Sequence, residues 1–322
     1  MKQRFLDYLI AFIIILCLNF ALPRLMPGDP ISSIYGEEAM LQMSPEMEAK
    51  LTERLGLDKP IGQQFTDYIV RLAHGDMGYS LYHKAPVTSI IASYLPWTLL
   101  LAGSAFLLAT VLGIVLGIES AWRRGRRIDR CLLISLMSMS GLPSFFVGAV
   151  LLLIFGVYLQ CMPLQNAYTS YADLTGLALV WDVAQHLALP LTSLVIVFLP
   201  NIYLLMRNST LAVVREPYVL TAHAKGLRPG GIRYHHVARN ALLPVVTAVG
   251  MMIASRLVTG ALFVEVVFSY PGMGLLIRQA LTNRDYPVLQ GALLMTTLLV
   301  LGINLLVDFS YAKIDPRINH AH

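Results

Sequence analysis

The chain returns six times to an apolar run of bilayer length, at residues 8–25, 94–121, 131–158, 187–206, 241–267 and 287–307. This repetition limits the possible folds more than any single motif does. An α-helix rises 1.5 Å per residue, so roughly 20 apolar residues cross a hydrocarbon core. Only backbone that satisfies its own hydrogen bonds is stable there. The pattern therefore predicts an all-α, polytopic membrane protein with six transmembrane helices. Composition agrees. Charged residues are 13% of the 322 and hydrophobic residues 56%, whereas a soluble domain carries about a quarter charged residues.

Charge distribution sets the expected orientation. A net charge of +5 would suit a nucleic-acid binder, but the basic residues fall in alternate loops, as membrane orientation requires. The expected partner is the lipid bilayer, with no nucleic acid. Lys2 and Arg4 precede the first run, and no small-residue cleavage pattern follows it; Gly28-Asp29-Pro30 reads as a turn. This predicts a retained first helix with its N-terminus inside. Arg123, Arg124, Arg126, Arg127 and Arg130 follow the second run at once and read as a cytoplasmic anchor. Residues 160–186 lack Lys and Arg and are expected outside; Lys313 and Arg317 place the C-terminus inside. The expected location is the cytoplasmic (inner) membrane, multi-pass, with both termini cytoplasmic.

Three parts follow from this. Residues 1–26 form the N-terminal end and first helix. Residues 27–93 form an external insert with two short amphipathic helices. One starts at Ser44-Pro45, carries Met47, Leu51 and Leu55, and stops at Gly56; the other runs from about Pro60 to His74, carries Phe65, Ile69 and Leu72, and stops at Gly75. Residues 94–322 form a five-helix transmembrane core that includes a cytoplasmic loop at 208–240. Gly113 and Gly117 make a small-xxx-small pair suited to close helix approach. Gly141-Leu142-Pro143 is placed to kink or locally unwind the third helix, and Pro190 and Pro200 lie inside the fourth. Cys17, Cys131 and Cys161 have no metal-ligand spacing and read as packing residues.

The longest polar interruption of the second half, residues 216–244, stands out. Pro217 marks a helix start and Gly226 a helix end, with Gly230 and Gly231 beyond, and Arg215, Lys225, Arg228, Arg233 and Arg239 gather there. It reads as a short amphipathic helix on the cytoplasmic face, a turn, and a helix re-entering the bilayer near Ala241. The residues alone allow either a docking lever for a partner or a basic helix lying on anionic lipid. The chain carries no phosphate-cradling Gly-x-x-x-x-Gly-Lys-Ser/Thr, no His-Glu-x-x-His and no Gly-x-Ser-x-Gly. No catalytic residue, metal site or bound cofactor is expected. His223, His235 and His236 read as interfacial, and Met137, Met139, Met251, Met252 and Met295 as flexible packing rather than soft-metal ligands.

Charge at bilayer depth is more informative, because it costs at least ~2.5–3.5 kcal/mol unless it faces protein or water. Arg256 falls in the middle of the fifth run and Glu265 lies nearer its outer end. Arg256 is expected to face the bundle or a translocation path; a structural ion pair is the equal alternative. Pro271-Gly272-Met273-Gly274 lets the backbone bend sharply in an external, turn-rich segment at 268–286 that can dip into the membrane, a plain surface turn being the other reading.

The run Tyr218-Val219-Leu220-Thr221-Ala222-His223-Ala224-Lys225-Gly226-Leu227, followed by His236-Val237-Ala238-Arg239-Asn240-Ala241-Leu242-Leu243-Pro244, resembles the coupling-loop signature of ABC importer permeases. More narrowly it is similar to the peptide/nickel (dipeptide/oligopeptide/nickel) branch, first-permease type. Gly28-Asp29-Pro30, Phe268-Ser269-Tyr270-Pro271-Gly272-Met273-Gly274 and Arg284-Asp285-Tyr286-Pro287 match the same branch, so the likeness covers nearly the whole chain in order. One departure from the wider family is that the Glu opening its coupling motif is replaced here by Leu220 or Thr221, which leaves that polar contact unassigned.

The resemblance implies a type-I ABC importer fold. It also implies a permease subunit that moves short peptides or nickel and metal chelates. Its partners would be a second homologous permease chain, two ABC ATPase subunits that hold the ATP and Mg, and an extracytoplasmic substrate-binding protein. It places ATPase coupling on Pro217, Tyr218, Thr221, Ala222, His223, Ala224, Lys225, Gly226, Leu227 and Arg228. Ala222, Ala224 and Gly226 would permit close backbone approach, and Lys225, Arg228 and Arg233 would pair with acidic groups of the partner. It places Pro271, Gly272, Met273 and Gly274 at the region facing the substrate-binding protein and the pore entrance, and Arg256 and Glu265 join them as expected pathway residues by their charge in the fifth run. The alternative is an ion-coupled secondary transporter or channel working without an ATPase. That class needs ionisable relays in several helices and often an internal repeat; only Arg256 lies deep, and no repeat is seen.

Overall fold

The computed structural model of the chain describes residues 2–25, 44, 46, 59–80 and 82–314, with the backbone alone described at 2–5, 22–25, 253–259 and 308–314. The described elements are α1 (Lys2–Leu25), α2 (Ile61–Ala73), β1 (Tyr79–Ser80), β2 (Ala85–Pro86), α3 (Val87–Trp122), α4 (Arg127–Met139), α5 (Ser144–Leu151), α6 (Leu177–Val213), α7 (Pro217–Ala224), α8 (Arg239–Val267), α9 (Met273–Thr282) and α10 (Tyr286–Ile314). A π-helical turn, Leu152–Tyr158, continues α5, and another, Ile232–Ala238, leads into α8. Apart from one hairpin of two-residue strands, the regular structure of the described chain is helical. It separates into two compact units, Met1–Pro96 with Pro271–Leu301, and Trp97–Tyr270 with Gly302–His322.

Among the described residues, α3, α6 and Tyr286–Val307 are long and apolar enough to cross a membrane, and the pair α4 with α5 makes a fourth if taken as one bent span. The third apolar run is unwound at Gly141-Leu142-Pro143, one of the two expected outcomes, and its halves meet at 102°. Pro143 has no N–H to continue α4 and takes an extended conformation ahead of α5. α3 and α6 begin seven and ten residues before the apolar runs they contain, at Val87 and Leu177 rather than 94 and 187. Trp181, Asp182, Gln185 and His186 mask the first turns of α6 from a hydropathy reading. Asp182 meanwhile accepts hydrogen bonds from the Thr169 N–H (2.6 Å) and hydroxyl (2.8 Å), tying the preceding loop to the helix.

In the first unit, α2 follows the expected boundaries. Pro60 precedes its first residue, and Gly75, at φ +77°, ends it in a conformation that side chains disfavour. The expected helix from Ser44 to Gly56 lies almost wholly outside the described residues. Asn19 is a buried amide in an apolar helix and needs partners. Its Nδ2 donates to the Gln290 carbonyl (2.8 Å) and the Tyr68 hydroxyl (3.2 Å), and Gln290 Nε2 returns a bond to the Asn19 carbonyl (3.2 Å). Asp285 caps α10: its carboxylate accepts from the Val288 N–H (3.3 Å) and the Ser80 hydroxyl (2.5 Å).

In the second unit the glycine pair of α3 sets the packing. A Cβ on Gly113 would sit 2.7 Å from Ile202 Cγ2, and one on Gly117 2.8 Å from Met206 Cβ and 2.9 Å from the Tyr203 carbonyl. The partners advance along α6 in the same direction as the glycines along α3, so the two helices run parallel. The chain between Trp122 and Leu177 must therefore travel back along their length, which α4 and α5 accomplish. Cys17, Cys131 and Cys161 are all exposed on the chain, as are Leu107 and Ile134. In a bilayer, lipid tails are as apolar as leucine, so an apolar neighbourhood in the sequence does not imply a position inside the bundle.

Candidate functional site

The polar stretch 216–244 folds as α7, a turn, the π-helical turn at 232–238, and α8. Pro217 occupies the first position of α7, where a missing N–H costs nothing. At the other end Gly226 has φ +72°, and its N–H donates to the His223 carbonyl (2.9 Å). A residue with a Cβ would be strained in that left-handed turn.

α7 has one face for its own chain and one turned away from it. Val219 and Ala222, three residues apart and so on one side of the helix, are buried in a cluster with Ile232 and Val237, against which Trp122, Val213 and Val214 pack. Tyr218, Thr221, His223, Ala224, Lys225, Gly226, Leu227 and Arg228 are exposed, and so is Leu220, with 67% of its surface uncovered. Of the expected coupling residues, Ala222 makes its close approach within this chain, and the remainder stay on the exposed side or at the exposed ends. The Tyr218 hydroxyl accepts from Asn240 Nδ2 (2.8 Å) and so links the start of α7 to the start of α8.

Polar contacts fix the same loop to the end of α3. Arg233 pairs with Glu119 Oε1, to which the Tyr234 hydroxyl also donates (2.6 Å), while Arg123 Nε lies 3.3 Å from Oε2. Hydrogen bonding to the Glu119 carboxylate holds the Tyr234 phenol above its ordinary pKa. Trp122 sits between two loop residues. His223 stacks on it at 6.3 Å and 19°, and the Arg233 guanidinium lies 5.3 Å from its ring centre. Arg233, expected to reach an acid on another chain, is thus committed to an acid of its own. The loop has no acid at 220 or 221, and the carboxylate it binds comes from α3.

A second network begins at the next residue of α3. The Ser120 hydroxyl donates to Asp129 Oδ1 (2.5 Å) and lies 2.6 Å from the Tyr203 hydroxyl. Arg207 grips Asp129 with two bonds, Nε to Oδ1 (2.8 Å) and Nη2 to Oδ2 (3.1 Å), and the Gly125 N–H donates to Oδ2 (2.9 Å). Forked pairing of this kind is the strong form of a charge-assisted bond. Asp129 is buried and Arg207 only 13% exposed. Neither Glu119 nor Asp129 was singled out in the sequence, yet both left a signal. Glu119 is the one charged residue in the apolar run 94–121, and Asp129 the one acid among five arginines at 123–130.

The expected pathway residues are placed separately. Arg256 lies in α8, its side chain outside the described residues. Glu265 is fully buried near the end of α8, where its carbonyl accepts the Tyr270 N–H at 2.8 Å. Pro271 is partly buried, Gly272 caps α9 in extended conformation, and Met273 and Gly274 are buried in its first turn. Among the described residues, no three of His, Cys, Asp and Glu converge on a point.

The described chain thus combines apolar helices of bilayer length with a short helix buried on one face and exposed on the other, the build of an α-helical membrane protein. The family described as "Binding-protein-dependent transport system inner membrane component" matches residues 109–320, and "Binding-prot-dependent transport system membrane comp, N-term" matches residues 1–102; the chain belongs to this family. It is 37% identical to the di/tripeptide transport system permease protein DppB of Pseudomonas aeruginosa (strain UCBPP-PA14), over 94% of this chain and 93% of that one. It is 36% identical to the dipeptide transport system permease protein DppB of Escherichia coli (strain K12), over 96% and 95%. The crystal structure of an amino acid ABC transporter with histidines overlays at a TM-score of 0.49 and 17% identity, covering 70% of this chain and 94% of that one.

The protein is therefore a multi-pass permease subunit of an ABC importer in the inner membrane, and not itself an enzyme. Membership implies work with an ATPase and a substrate-binding protein. It also sets aside the ion-coupled alternative.

Proposed function

We propose that this chain forms half of a translocation pathway for short peptides, the other half coming from a second homologous permease chain. Two ATPase subunits, holding ATP and Mg, dock on α7 and its counterpart, and an extracytoplasmic binding protein delivers the peptide. Both termini lie in the cytoplasm and the chain crosses the membrane six times. The di/tripeptide and dipeptide permeases among its relatives support the peptide cargo. The observation that carries the coupling role is the two-faced α7, whose Val219 and Ala222 are buried on their own bundle while Leu220, Ala224, Lys225, Gly226, Leu227 and Arg228 stay exposed.

In this mechanism ATP binding closes the ATPase pair, the coupling helices move together, and the pathway turns from inward-open to outward-open; hydrolysis resets it. Alternating access needs two states only a few kcal/mol apart, biased by what binds each. Arg256, Glu265 and the turn Pro271-Gly272-Met273-Gly274 are assigned to the pathway, Arg256 by its charge at bilayer depth.

Leu220→Asp tests the docking. A charge at the centre of an apolar contact should strip the ATPase subunits from the purified complex, while a surface change leaves the stability of the chain itself within ~0.5 kcal/mol. Uptake of labelled dipeptide into vesicles holding the complete complex tests the cargo. Uptake of nickel ion in place of dipeptide would replace peptide as the substrate, and full ATPase retention by the Leu220→Asp variant would refute docking on α7.

A further inference from the structure

A docked helix moves the membrane helices only if it is tied to them in direction as well as in contact. The apolar cluster beneath α7 is not such a tie, since hydrophobic contact is non-directional and lets one surface slide over another. The contacts around Glu119 are directional. Its carboxylate receives Arg233 and the Tyr234 hydroxyl from the loop on one oxygen and lies beside Arg123 on the other. Trp122, its neighbour three residues on, is held between His223 of α7 and the Arg233 guanidinium. These residues cap the last turn of α3.

That turn is joined to two other helices. Ser120 contacts Asp129 at the start of α4 and Tyr203 of α6, and Arg207 of α6 closes on the same Asp129. Further up α3, Gly113 and Gly117 bring its backbone against α6 with no side chain between. A displacement of the coupling loop at Arg233 thus reaches α3 at Glu119, and α4 and α6 one residue later.

We propose that Glu119, with Arg233 and Tyr234, is the strut through which the force of the ATPase passes from the coupling loop into the membrane helices. These are positioning residues that touch neither cargo nor nucleotide. The proposal rests on the reading that ATPase subunits dock on α7.

The test measures dipeptide transport and ATP hydrolysis in parallel, in the complete complex reconstituted in vesicles. Glu119→Gln and Arg233→Met should each lower the transport achieved per ATP hydrolysed by about tenfold, within the range of a site-to-site coupling energy, with hydrolysis continuing. The exchanged pair Glu119→Arg with Arg233→Glu should recover the ratio to within about threefold, because the interaction rather than either residue carries the effect. A purely structural pair would lower both activities together. An unchanged ratio in the single variants, or a proportionate loss of both activities, overturns the strut.

Should Glu119→Gln fail to assemble, Tyr234→Phe removes one bond to the same oxygen and leaves the charges intact. Its ratio should fall by a smaller factor, and no change there overturns the proposal equally. ATPase subunits that fail to accompany the unaltered chain would overturn the docking reading and the strut with it. ATPase subunits that accompany it, with an unchanged ratio in the variants, would overturn the strut alone.

Discussion

Replacing Gly117 by alanine should pry α3 from α6, and Gly103, on the same helix, supplies the control. A Cβ on Gly117 would meet Met206 Cβ at 2.8 Å, the Tyr203 carbonyl at 2.9 Å and the Arg207 backbone nitrogen at 3.0 Å, where ordinary contact is 3.4–4 Å. Two of these atoms are backbone, so no rotamer change relieves the overlap and the helices must separate by about 0.5–1 Å; overpacking of this kind costs ~1–3 kcal/mol. Alanine also favours a helix over glycine by ~1 kcal/mol, which would blur the result for one variant alone. Gly103 is exposed, with no atom within 4 Å of a built Cβ, so Gly103→Ala gains the propensity without the clash. The difference between the two variants isolates the clash. At about 2 °C per kcal/mol for a chain of this size, Gly117→Ala should melt roughly 2–6 °C below Gly103→Ala in a fixed-rate scan of the detergent-purified complex. Because the separation falls beside Arg207, one turn from Ser120, the loss should be partly shared with Asp129→Asn rather than additive to it. Equal melting of the two alanine variants, within about 1 °C, would refute both the close contact and the parallel arrangement read from it.

Three further outcomes follow from the site. Asp129→Asn leaves the mostly buried Arg207 charge without its partner and should cost about 3–5 kcal/mol, while Asp129→Asn with Arg207→Met should cost less than the single change; unfolding scans of the two variants beside the unaltered chain decide it. Gly226→Ala places a Cβ at φ +72° and should cost ~1–2 kcal/mol of local order, read as about tenfold faster limited proteolysis of the coupling loop, with the melting of the bundle unchanged. The Tyr234 phenol titrates above its ordinary value because its hydroxyl donates a hydrogen bond to the Glu119 carboxylate. Its contribution is present below the ordinary tyrosine value near 10 and is lost as pH rises through the higher folded value. Tyr234→Phe should therefore remove one late-titrating phenol from the absorbance titration at alkaline pH.

How far the sequence could be read depended on whether a feature is local or shared. Helical content, the apolar runs, the Pro217 start and Gly226 stop of α7, the Pro60 and Gly75 limits of α2 and the break at Gly141-Leu142-Pro143 are set by the residues themselves, through main-chain sterics and the need to satisfy backbone bonds in lipid. Asp182, Gln185 and His186 hid the early start of α6, and Thr88, Ser89 and Ser93 that of α3, because hydropathy registers burial in lipid and not helicity. The exposure of Cys17, Cys131 and Cys161 could not be read for a related reason: a one-dimensional pattern cannot tell a lipid-facing side from a protein-facing one.

The sequence by itself decided that this chain is a helical membrane protein with a short, punctuated helix outside its apolar runs. Tertiary structure alone decided what that helix is attached to. Val219 and Ala222 face inward because Ile232, Val237 and Trp122 meet them there, and Arg233 is spent on Glu119, which lies 114 residues away in the chain. Asp129 and Arg207 are 78 residues apart, and no local spacing rule relates them. Such pairs exist only once α3 and α6 lie in register, and that register is fixed by two glycines whose effect depends on a neighbour the linear chain does not show.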